Sequence, residues 1–360
     1  MRVLIVTPDY PPPPGGIQTL VQNLEEGLKN VGHTPNIVQI DPREYSSTLE
    51  DAIPTRRTLD AIKIRAPHFY RYFNTVHRRT CEAIEEHNPD VVHAAHIRVW
   101  PALQAATEHG LPSVVTAHAL ELGDRPLASV AFEEATAVHA VSEFTGSVIE
   151  HDHGISPDEI IHPSIDIDCY APSDDGSGIG TDSIFTISRL VGRKNIDTIV
   201  DAWKRLDHER RGDRTLDIAG TGPDYDTLEA MTEDIDSVRM LGRISESRKI
   251  ERLQNADLFV LPAGGVNYDV EGFGIVYIEA QAAGTPVIGS SVGGVPEAVG
   301  DGGMLLNDET NPDELAVKIA DFLSNSEKLE QYSAEAQRRV EAFDLNPIAV
   351  QYVDLYEHIL

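Results

Sequence analysis

Short apolar runs that alternate with helical patterns, in two successive sets, constrain the fold of this chain more than any other feature. The first set of runs lies at residues 2–7, 35–40, 91–94, 113–117, 137–141 and 160–162. The second set lies at residues 183–187, 216–219, 238–241, 258–261 and 286–289. Runs of this length, separated by helical patterns, are typical of buried parallel strands. Each set therefore predicts a doubly wound α/β domain with a parallel sheet.

The length of 360 residues supports two such domains, because ordinary α/β domains are shorter. Residues 166–182 have the composition of a linker, so we place the domains at 1–168 and 169–345. A last helix is predicted at 346–360, where the apolar residues again have helical spacing. Ligands of doubly wound sheets bind beyond the carboxyl ends of the strands, so we expect facing strand ends to form a cleft.

The charge of the chain is strongly acidic. The 59 Asp and Glu residues outnumber the 29 Lys and Arg residues, which gives a formal net charge of −30. Such self-repulsion opposes compaction in dilute buffer, but in about 1 M salt the screening length falls to about 3 Å. We therefore expect a salt-rich cytoplasm, and an ordinary acidic enzyme is the alternative. Nucleic-acid binding is not expected, because no broad basic surface is available.

The beginning of the chain and its cysteines indicate a compartment. MRVLIVTPDY reads as a strand and a turn without a charged leader, and no run of about 18 apolar residues follows. We therefore expect a cytosolic protein. Cys81 and Cys169 are too few for a disulfide framework or a thiolate metal site, so both are expected to be free thiols. Acidic pairs arise often by chance in this composition, and no metal is predicted.

Residues 271–280, with the sequence EGFGIVYIEA, combine a glycine turn with the start of a helix. A helix that begins at Gly274 or Ile275 leaves its first amide groups unpaired, and its positive end favours a phosphate. Glu271 precedes this anion site, and Glu279 lies about one turn inside the helix. Carboxylates accept hydrogen bonds from hydroxyl groups, so the two glutamates suit sugars on either side of a phosphate.

Basic residues after the run at 183–187 supply positive charge for a diphosphate. Arg189 and Lys194 can neutralise it without a metal, through a guanidinium fork and an ammonium point charge. Gly15 and Gly16 let the backbone approach an anionic ligand. The alternatives are charges that merely solvate the loop and a simple tight turn. No Gly-x-Gly-x-x-Gly follows the first strand, so a nicotinamide dehydrogenase is poorly supported.

The spacing of Glu271 and Glu279 around Gly-Phe-Gly resembles the signature of family 4 retaining glycosyltransferases, which have the two-domain GT-B fold. Further matches follow in family order along nearly the whole chain: Gly15-Gly16, His118, Val141-Ser142, Ser188-Arg189-Leu190 with Lys194, Gly220-Thr221-Gly222, Leu241-Gly242-Arg243 and Gly293-Gly294-Val295-Pro296-Glu297. The stretch from Pro262 to Glu279 is most similar to the branch that contains phosphatidylinositol-mannoside mannosyltransferases and their bacterial and archaeal relatives.

The resemblance implies a metal-independent enzyme that moves a hexose, with mannose as the first choice, to an acceptor hydroxyl with retention. The donor would be GDP-mannose or a UDP-sugar, with no other cofactor, bound by residues 169–345, and residues 1–168 would bind the acceptor. The last helix, at 346–360, would cross back to the first domain. Catalytic roles fall on Glu271, toward the donor sugar, and on His118, which would stabilise charge at the anomeric centre. The donor-binding residues implied are Gly16, Arg189, Lys194, Arg243, Ile244, Phe273, Gly274, Ile275, Val276 and Glu279.

Departures from the family pattern leave alternatives open. The usual Pro-Asn-Gly-Val-Asp after the first domain is Pro163-Ser164-Ile165-Asp166 here, and the loop at 263–270 is longer than in many relatives. Arg193 matches no recurrent position and has no assigned role. A GT-B nucleotide-sugar epimerase and a non-catalytic sugar-nucleotide binding protein are the alternatives. A two-carboxylate glycosidase is disfavoured because it needs no diphosphate cradle.

Residues 56–79 contain seven basic residues against Asp60, a local charge of +6 (seven minus one) in an acidic chain. Aromatic residues are interleaved with them: Phe69, Tyr70, Tyr72 and Phe73. This mixture suits docking at an anionic membrane surface, and it suggests a peripheral protein at the cytosolic face with a lipid-linked acceptor. The alternative is a helix face that acidic neighbours balance.

Overall fold

The computed structural model describes residues 1–12, 15–44, 67–171, 183–265 and 268–360, without the side chains of residues 67–69. They form two compact units, one of Met1–Ser164 with Leu345–Leu360 and the other of Ile165–Asp344. The sequence placed this division after residue 168, four residues later (168 minus 164). The difference arises because Ile165 and Tyr170 are buried in the core of the second unit.

The strands of the first unit, within the described ranges, are β1 Arg2–Thr7, β2 Thr34–Gln39, β3 Val91–Ala94, β4 Ser113–Ala117, β5 Ala137–Ala140 and β6 Glu159–Ile160. They form a parallel sheet in the order β2-β1-β3-β4-β5-β6. Every residue of β3, β4 and β5 is buried, which is why these strands read as continuous runs rather than as alternating patterns.

The helices described for this unit are α1 Gly16–Asn30, α2 Pro67–His87, α3 Pro101–Glu108, α4 Arg125–Glu134, α5 Glu143–His153 and, from the end of the chain, α15 Leu345–Ile359. Helix α5 begins at a local signal, since the Ser142 hydroxyl accepts from the Thr145 amide at 3.0 Å. It ends at Gly154, whose φ of 69° is the left-handed conformation that favours glycine.

Helix α15 packs on α1 in the first unit. A Cβ on Gly27 of α1 would lie 2.7 Å from the Leu345 carbonyl oxygen and 2.9 Å from the Ala349 Cβ, so the two helix backbones approach at a glycine. Tyr352 and Tyr356 of α15 are fully buried in the core of this unit. The last helix is therefore an integral part of the first unit.

A chain of hydrogen bonds runs through this core. His139 Nε2 lies 2.9 Å from the Ile161 carbonyl, which can only accept, so Nε2 carries the proton and Nδ1 accepts from the Thr116 hydroxyl at 2.9 Å. Thr116 then accepts from His93 Nε2 at 2.7 Å, and His93 Nδ1 accepts from the Tyr356 hydroxyl at 2.6 Å. Burial lowers the pKa of His139 to about 3 and that of His93 well below its usual value, so both imidazoles are neutral, and the chain connects α15 to three strands.

The described strands of the second unit are β7 Ser183–Ile187, β8 Thr215–Ala219, β9 Val238–Gly242, β10 Leu258–Val260, β11 Val287–Ser290 and β12 Gly303–Leu306. They form a second parallel sheet in the order β12-β11-β10-β7-β8-β9. Its described helices are α6 Ile167–Tyr170, α7 Ile196–Arg205, α8 His208–Arg211, α9 Tyr225–Thr232, α10 Glu246–Asn255, α11 Ile275–Ala282, α12 Val295–Val299, α13 Pro312–Leu323 and α14 Ser326–Val340. None of the helices in the described part of the chain is both long and apolar enough to cross a bilayer.

Candidate active site

Most of the predicted donor-binding residues lie in loops at one edge of the second sheet. The strands are parallel, so their carboxyl ends lie along the same edge. Arg189 and Lys194 follow β7, and Arg243 follows β9. Glu271 lies in the loop between β10 and α11. The structure therefore places these predicted residues at one edge of the second sheet.

Backbone contacts fix the loop that carries Glu271. The Gly294 amide donates to the Glu271 carbonyl at 2.9 Å. A Cβ on Gly294 would lie 2.0 Å from the Gly272 carbonyl oxygen, and one on Gly293 would lie 2.4 Å from that of Glu271. Gly293 also has a φ of 63°. The two glycines thus permit a close approach that residues with side chains would prevent.

The loop after β7 is joined to the same region. Asn195 Nδ2 donates to the Pro262 carbonyl at 2.8 Å, and the Gly264 amide donates to the Arg193 carbonyl at 2.7 Å. These bonds hold the short 3₁₀ turn Gly192–Lys194 against the loop that follows β10. Two basic side chains are thereby presented to the loop of Glu271.

Glu271 forms the centre of an ionic cluster. Its Oε1 accepts hydrogen bonds from Arg193 Nη1 and from Lys194 Nζ. Arg193 Nε also contacts Asp269 Oδ1 at 3.0 Å. The sequence analysis predicted Glu271 and Lys194 but gave Arg193 no role. The sequence could have indicated Arg193, because it precedes Lys194, one of only seven lysines of the chain, in a loop already predicted to bind an anion.

The protonation state of Glu271 follows from this cluster. Burial would raise the pKa of Glu271, but the Lys194 and Arg193 charges outweigh it and lower that pKa to about 2. Burial lowers the pKa of Lys194, and Glu271 opposes that effect. Glu271 is therefore a carboxylate that only accepts hydrogen bonds. It lacks the raised pKa that a glycosidase general acid requires.

The amino-terminal end of α11 has the predicted form. No side chain among the described residues caps this helix, and Gly274 precedes it with a φ of 97°. Ile275 and Val276 are partly exposed. Phe273 is buried instead, with its ring 5.7 Å from that of Phe343, so a donor could contact only its backbone.

Glu279 is buried and has partners that the sequence analysis missed. Its Oε1 accepts from Tyr170 Oη at 3.0 Å and from Lys249 Nζ at 2.8 Å. Lys249 lies 5.5 Å from the centre of the Tyr170 ring and 2.6 Å from the carboxylate of Glu246. Burial would lower the pKa of Lys249, but Glu279 and Glu246 outweigh it and raise that pKa. Lys249 could have been predicted as a site residue because the chain has few lysines, whereas nothing in the sequence indicated a role for Tyr170.

Two arginines of this edge are exposed. Neither Arg189 nor Arg243 has an ion pair with another described residue, and both guanidinium groups are open to solvent. Ile244, which follows Arg243, is partly buried against the core. The edge thus offers paired cations beside Glu271 and exposed cations at the ends of β7 and β9.

Close backbone approach also explains the Gly220-Thr221-Gly222 motif. A Cβ on Gly220 would lie 1.9 Å from the Ser188 carbonyl oxygen, and one on Gly222 would lie 2.1 Å from that of Leu190. The Leu190 amide donates to the Thr221 carbonyl at 3.0 Å. These glycines hold the loop after β7 against the loop after β8.

His118 lies directly after β4 in the first unit. Its Nε2 is 2.8 Å from the Ala95 carbonyl, so Nε2 carries a proton and Nδ1 is the nitrogen left to accept. The imidazole stacks on that of His96, with ring centres 5.5 Å apart. The ring is therefore held by a backbone carbonyl on one side and by a second imidazole on its face.

The residues after His118 hold its backbone in an unusual conformation. Ala119 has a φ of 137°, which is rare and costly for a residue with a side chain. The Glu121 carboxylate accepts from the His118 amide at 2.5 Å and is itself buried. Burial lowers the pKa of His96 to about 3, so His96 is neutral. Glu121 was not among the predicted site residues, and no sequence pattern marked it.

Gly16 is the first residue of α1. A Cβ at this position would meet no atom of the described residues within 4 Å. The fold described here does not itself require glycine at Gly16. Open space beside the backbone is what approach of an anionic ligand would need.

The predicted membrane-docking segment is only partly described. Residues 56–66 lie outside the described ranges, and α2 begins at Pro67. Tyr72 and Phe73 are 2% and 8% exposed, and the Phe73 ring lies 5.8 Å from that of Trp100. The expectation that these two aromatic side chains insert into a membrane is wrong, because they pack inward. Tyr70 and Arg71 are exposed.

Two family models match the chain in succession. Glycosyltransferase Family 4 matches residues 14–168, and Glycosyl transferases group 1 matches residues 177–339. A GDP-mannose-dependent monoacylated alpha-(1-6)-phosphatidylinositol monomannoside mannosyltransferase of Corynebacterium glutamicum is 30% identical over 376 residues, covering 95% of this chain and 93% of the relative. A glycogen synthase of Mycobacterium tuberculosis is 27% identical over 406 residues, covering 99% and 94%.

The structure resembles that of the Anabaena protein HepE in complex with UDP-glucose, with a TM-score of 0.74 and 19% identity over 99% of this chain and 100% of HepE. Two parallel doubly wound units with the last helix in the first unit are the GT-B fold. The chain belongs to glycosyltransferase family 4.

Proposed function

We propose that this enzyme transfers mannose from GDP-mannose to an acceptor hydroxyl with retention at the anomeric carbon. The single observation that carries the choice of donor is the 30% identity, over nearly the whole length of both chains, to a GDP-mannose-dependent mannosyltransferase. The structure supports binding of a nucleotide diphosphate sugar through the cations, carboxylates and open helix end at the edge of the second sheet.

The proposed donor contacts divide by chemistry. Arg189 and Lys194 would bind the diphosphate, together with the first amides of α11 at Ile275 and Val276. Glu271, as a carboxylate, would accept hydrogen bonds from sugar hydroxyls, and Glu279 would accept from the ribose. Arg243 and Ile244 would lie near the base. Because Glu271 also contacts Arg193 and Lys194, the sugar and phosphate sites would share one charged cluster.

His118 would act on the donor sugar from the first unit. Its Nε2 proton is already donated to the Ala95 carbonyl, so the contact available to a hydroxyl group is acceptance at Nδ1. Such a contact would orient dipoles toward the anomeric centre, where positive charge develops. We therefore give His118 an orienting role.

A donor panel tests the proposal. GDP-mannose, UDP-glucose and ADP-glucose are compared by thermal shift and by acceptor-dependent release of nucleotide, in about 2 M potassium chloride. We expect GDP-mannose to give the largest shift and the fastest release. Preference for a glucose donor would instead support a glycogen-synthase-like activity. Release of nucleotide with an epimer and without an acceptor would support the epimerase alternative.

The acceptor is proposed to be lipid-linked, with the enzyme peripheral at the cytosolic membrane face. Support comes from the lipid acceptor named for the mannosyltransferase relative, and from exposure of Tyr70 and Arg71 within the basic segment at 56–79. Co-flotation with anionic liposomes compares wild type with a Tyr70→Ser, Arg71→Ser variant at low and high salt. If wild type does not float, or transfers only to soluble glycans, a soluble acceptor is correct.

Retention, metal independence and salt dependence are separate parts of the proposal. One-bond carbon–proton coupling of the product should show the same anomeric configuration as the donor, and inversion would contradict the mechanism. Added Mg²⁺ or Mn²⁺ should leave the rate unchanged, because basic side chains neutralise the diphosphate. The melting temperature should rise between about 0.1 M and about 2 M potassium chloride, since the net charge is −30.

A further inference from the structure

A cluster of three different ligand-type side chains lies between two helices of the first unit. His77 and Cys81 are four residues apart on α2 and therefore on one face of that helix. Glu108 is the last residue of α3, which packs against α2. None of the three belongs to the donor or acceptor residues discussed above.

The three side chains lie close enough to share one metal ion after a small movement of the side chains. His77 Nε2 lies 3.1 Å from Glu108 Oε2, and the other ring nitrogen, Nδ1, lies 3.9 Å from Cys81 Sγ, so the ion would take one of these two nitrogens. One ligand atom from each residue lies within 4.8 Å of those of the other two. With metal–ligand bonds of about 2.0–2.3 Å, the ligand atoms of a tetrahedral zinc ion are about 3.3–3.8 Å apart.

We propose that His77, Cys81 and Glu108 bind a divalent transition metal ion of the zinc class, with water in a fourth position. Thiolate and imidazole ligands select zinc over potassium, sodium and magnesium, which prefer oxygen. This selectivity matters in a chain of net charge −30, where carboxylates alone would attract any cation. The site would join α2 to α3, and it does not depend on the proposed transfer reaction.

The thiol must lose its proton to bind the metal. Coordination releases that proton to solvent. No metal was predicted from the sequence, where only thiolate sites and acidic pairs were considered, because a single His-x-x-x-Cys pair with a distant glutamate gives no recognisable signal.

The competing interpretation is a simple His77–Glu108 ion pair with Cys81 as a bystander. Zinc titration against a chromophoric chelator separates the two, using the reduced full-length protein in chloride-free potassium acetate. We expect one site per chain, weakened at least about tenfold in Cys81→Ser. The matched control is Cys169→Ser, because Cys169 is exposed and contacts Asp166 in the second unit, and its affinity should equal that of wild type.

Cobalt gives a direct readout of the thiolate. Wild type and Cys169→Ser should show a sulfur-to-cobalt charge-transfer band with the visible bands of a tetrahedral ion, and Cys81→Ser should lose the charge-transfer band. Glu108→Gln should weaken binding, whereas Glu86→Gln, which removes an exposed carboxylate of the same helix α2, should not. Melting curves without metal check that each variant is folded. Equal zinc affinity in wild type and Cys81→Ser, or no charge-transfer band in wild type, would overturn the proposal.

Discussion

The second unit concentrates charge at the edge of its sheet, whereas the first unit surrounds His118 with neutral imidazoles and one buried carboxylate. In the second unit, Glu271 contacts two cations, and the buried Glu279 contacts Lys249. In the first unit, burial lowers the pKa of His96 to about 3, so this residue is neutral. The two regions therefore use different physical means to hold their candidate site residues.

The two regions differ in how their hydrogen bonds and ion pairs can change when a ligand binds. In an ionic cluster, one cation can pair with a phosphate while the other cations stay paired with the carboxylate, so no charge is left without a partner. A neutral hydrogen-bonded arrangement has fixed donors and acceptors and instead sets geometry. We infer that substitutions of charged residues in the second unit alter donor binding and turnover. In the first unit, we infer that stability depends mainly on pH.

The largest expected effect is that of Glu271→Gln. The amide keeps the shape but removes the negative charge that faces Arg193 and Lys194 and would accept from the donor sugar. We expect turnover to fall roughly 10²–10³-fold while affinity for free GDP stays nearly unchanged. Steady-state kinetics and calorimetry measure the two quantities.

Asp269→Asn is the matched control for Glu271→Gln. Asp269 also contacts Arg193, but its side chain is 60% exposed, and its loss should reduce turnover far less. If Glu271→Gln weakens GDP binding as much as it slows turnover, the division between sugar and phosphate contacts is incorrect.

Lys194→Ala should produce the next largest effect, on nucleotide binding itself. Loss of a charge-assisted contact should weaken GDP affinity by roughly 1–3 kcal/mol. Lys204→Ala is the control, because Lys204 is exposed and pairs only with Asp201 among the described residues. Calorimetry with GDP decides. An unchanged affinity in Lys194→Ala would mean that Lys194 serves only to hold Glu271.

The sequence predicted the parallel strands and the sheet edge at which the candidate residues lie, because buried runs and glycine turns are local signals. It missed β12, Gly303–Leu306, because its apolar run of three residues is short and lies at the edge of the sheet. It also missed the pairing of Glu279 with Tyr170 and Lys249, which come from α6 and α10 and are far apart in the chain. Such pairings depend on tertiary packing, and no local spacing encodes them.

Stability against pH tests the neutral histidines of the first unit. Burial lowers the pKa of His139 from 6.5 to about 3 and that of His93 well below 6.5. The unfolded chain therefore binds protons below about pH 6.5 that the folded chain does not, and stability falls as the pH falls through this window. Each buried histidine contributes up to about 1.4 kcal/mol per pH unit.

A variant can isolate one of these contributions. In His139→Gln, the side-chain amide can accept from Thr116 and donate to Ile161, and it does not titrate. The free energy of unfolding, measured with urea between about pH 7.5 and pH 5, should change less per pH unit than in wild type. His151→Gln is the control, since the His151 side chain is 88% exposed, and its slope should match that of wild type. Equal slopes in all three proteins would show that His139 is not held neutral by burial.

The smallest expected effect is that of Tyr170→Phe, which tests whether Glu279 depends on its neutral partner or only on Lys249. The change removes hydroxyl contacts of 3.0 Å to Glu279 and 3.1 Å to Glu246 but leaves the buried ring and the Lys249 ion pair. We expect a loss of about 1 kcal/mol in the free energy of unfolding and a modest rise in the Michaelis constant for the donor. Tyr225→Phe is the control, because the Tyr225 hydroxyl contacts Glu229 at the surface, at 3.3 Å, and its removal should change neither quantity. Unchanged donor kinetics with the expected loss of stability would assign Tyr170 a purely structural role. A larger loss of donor affinity than of stability would instead show that a neutral hydroxyl orients the carboxylate within the charged edge of the second unit.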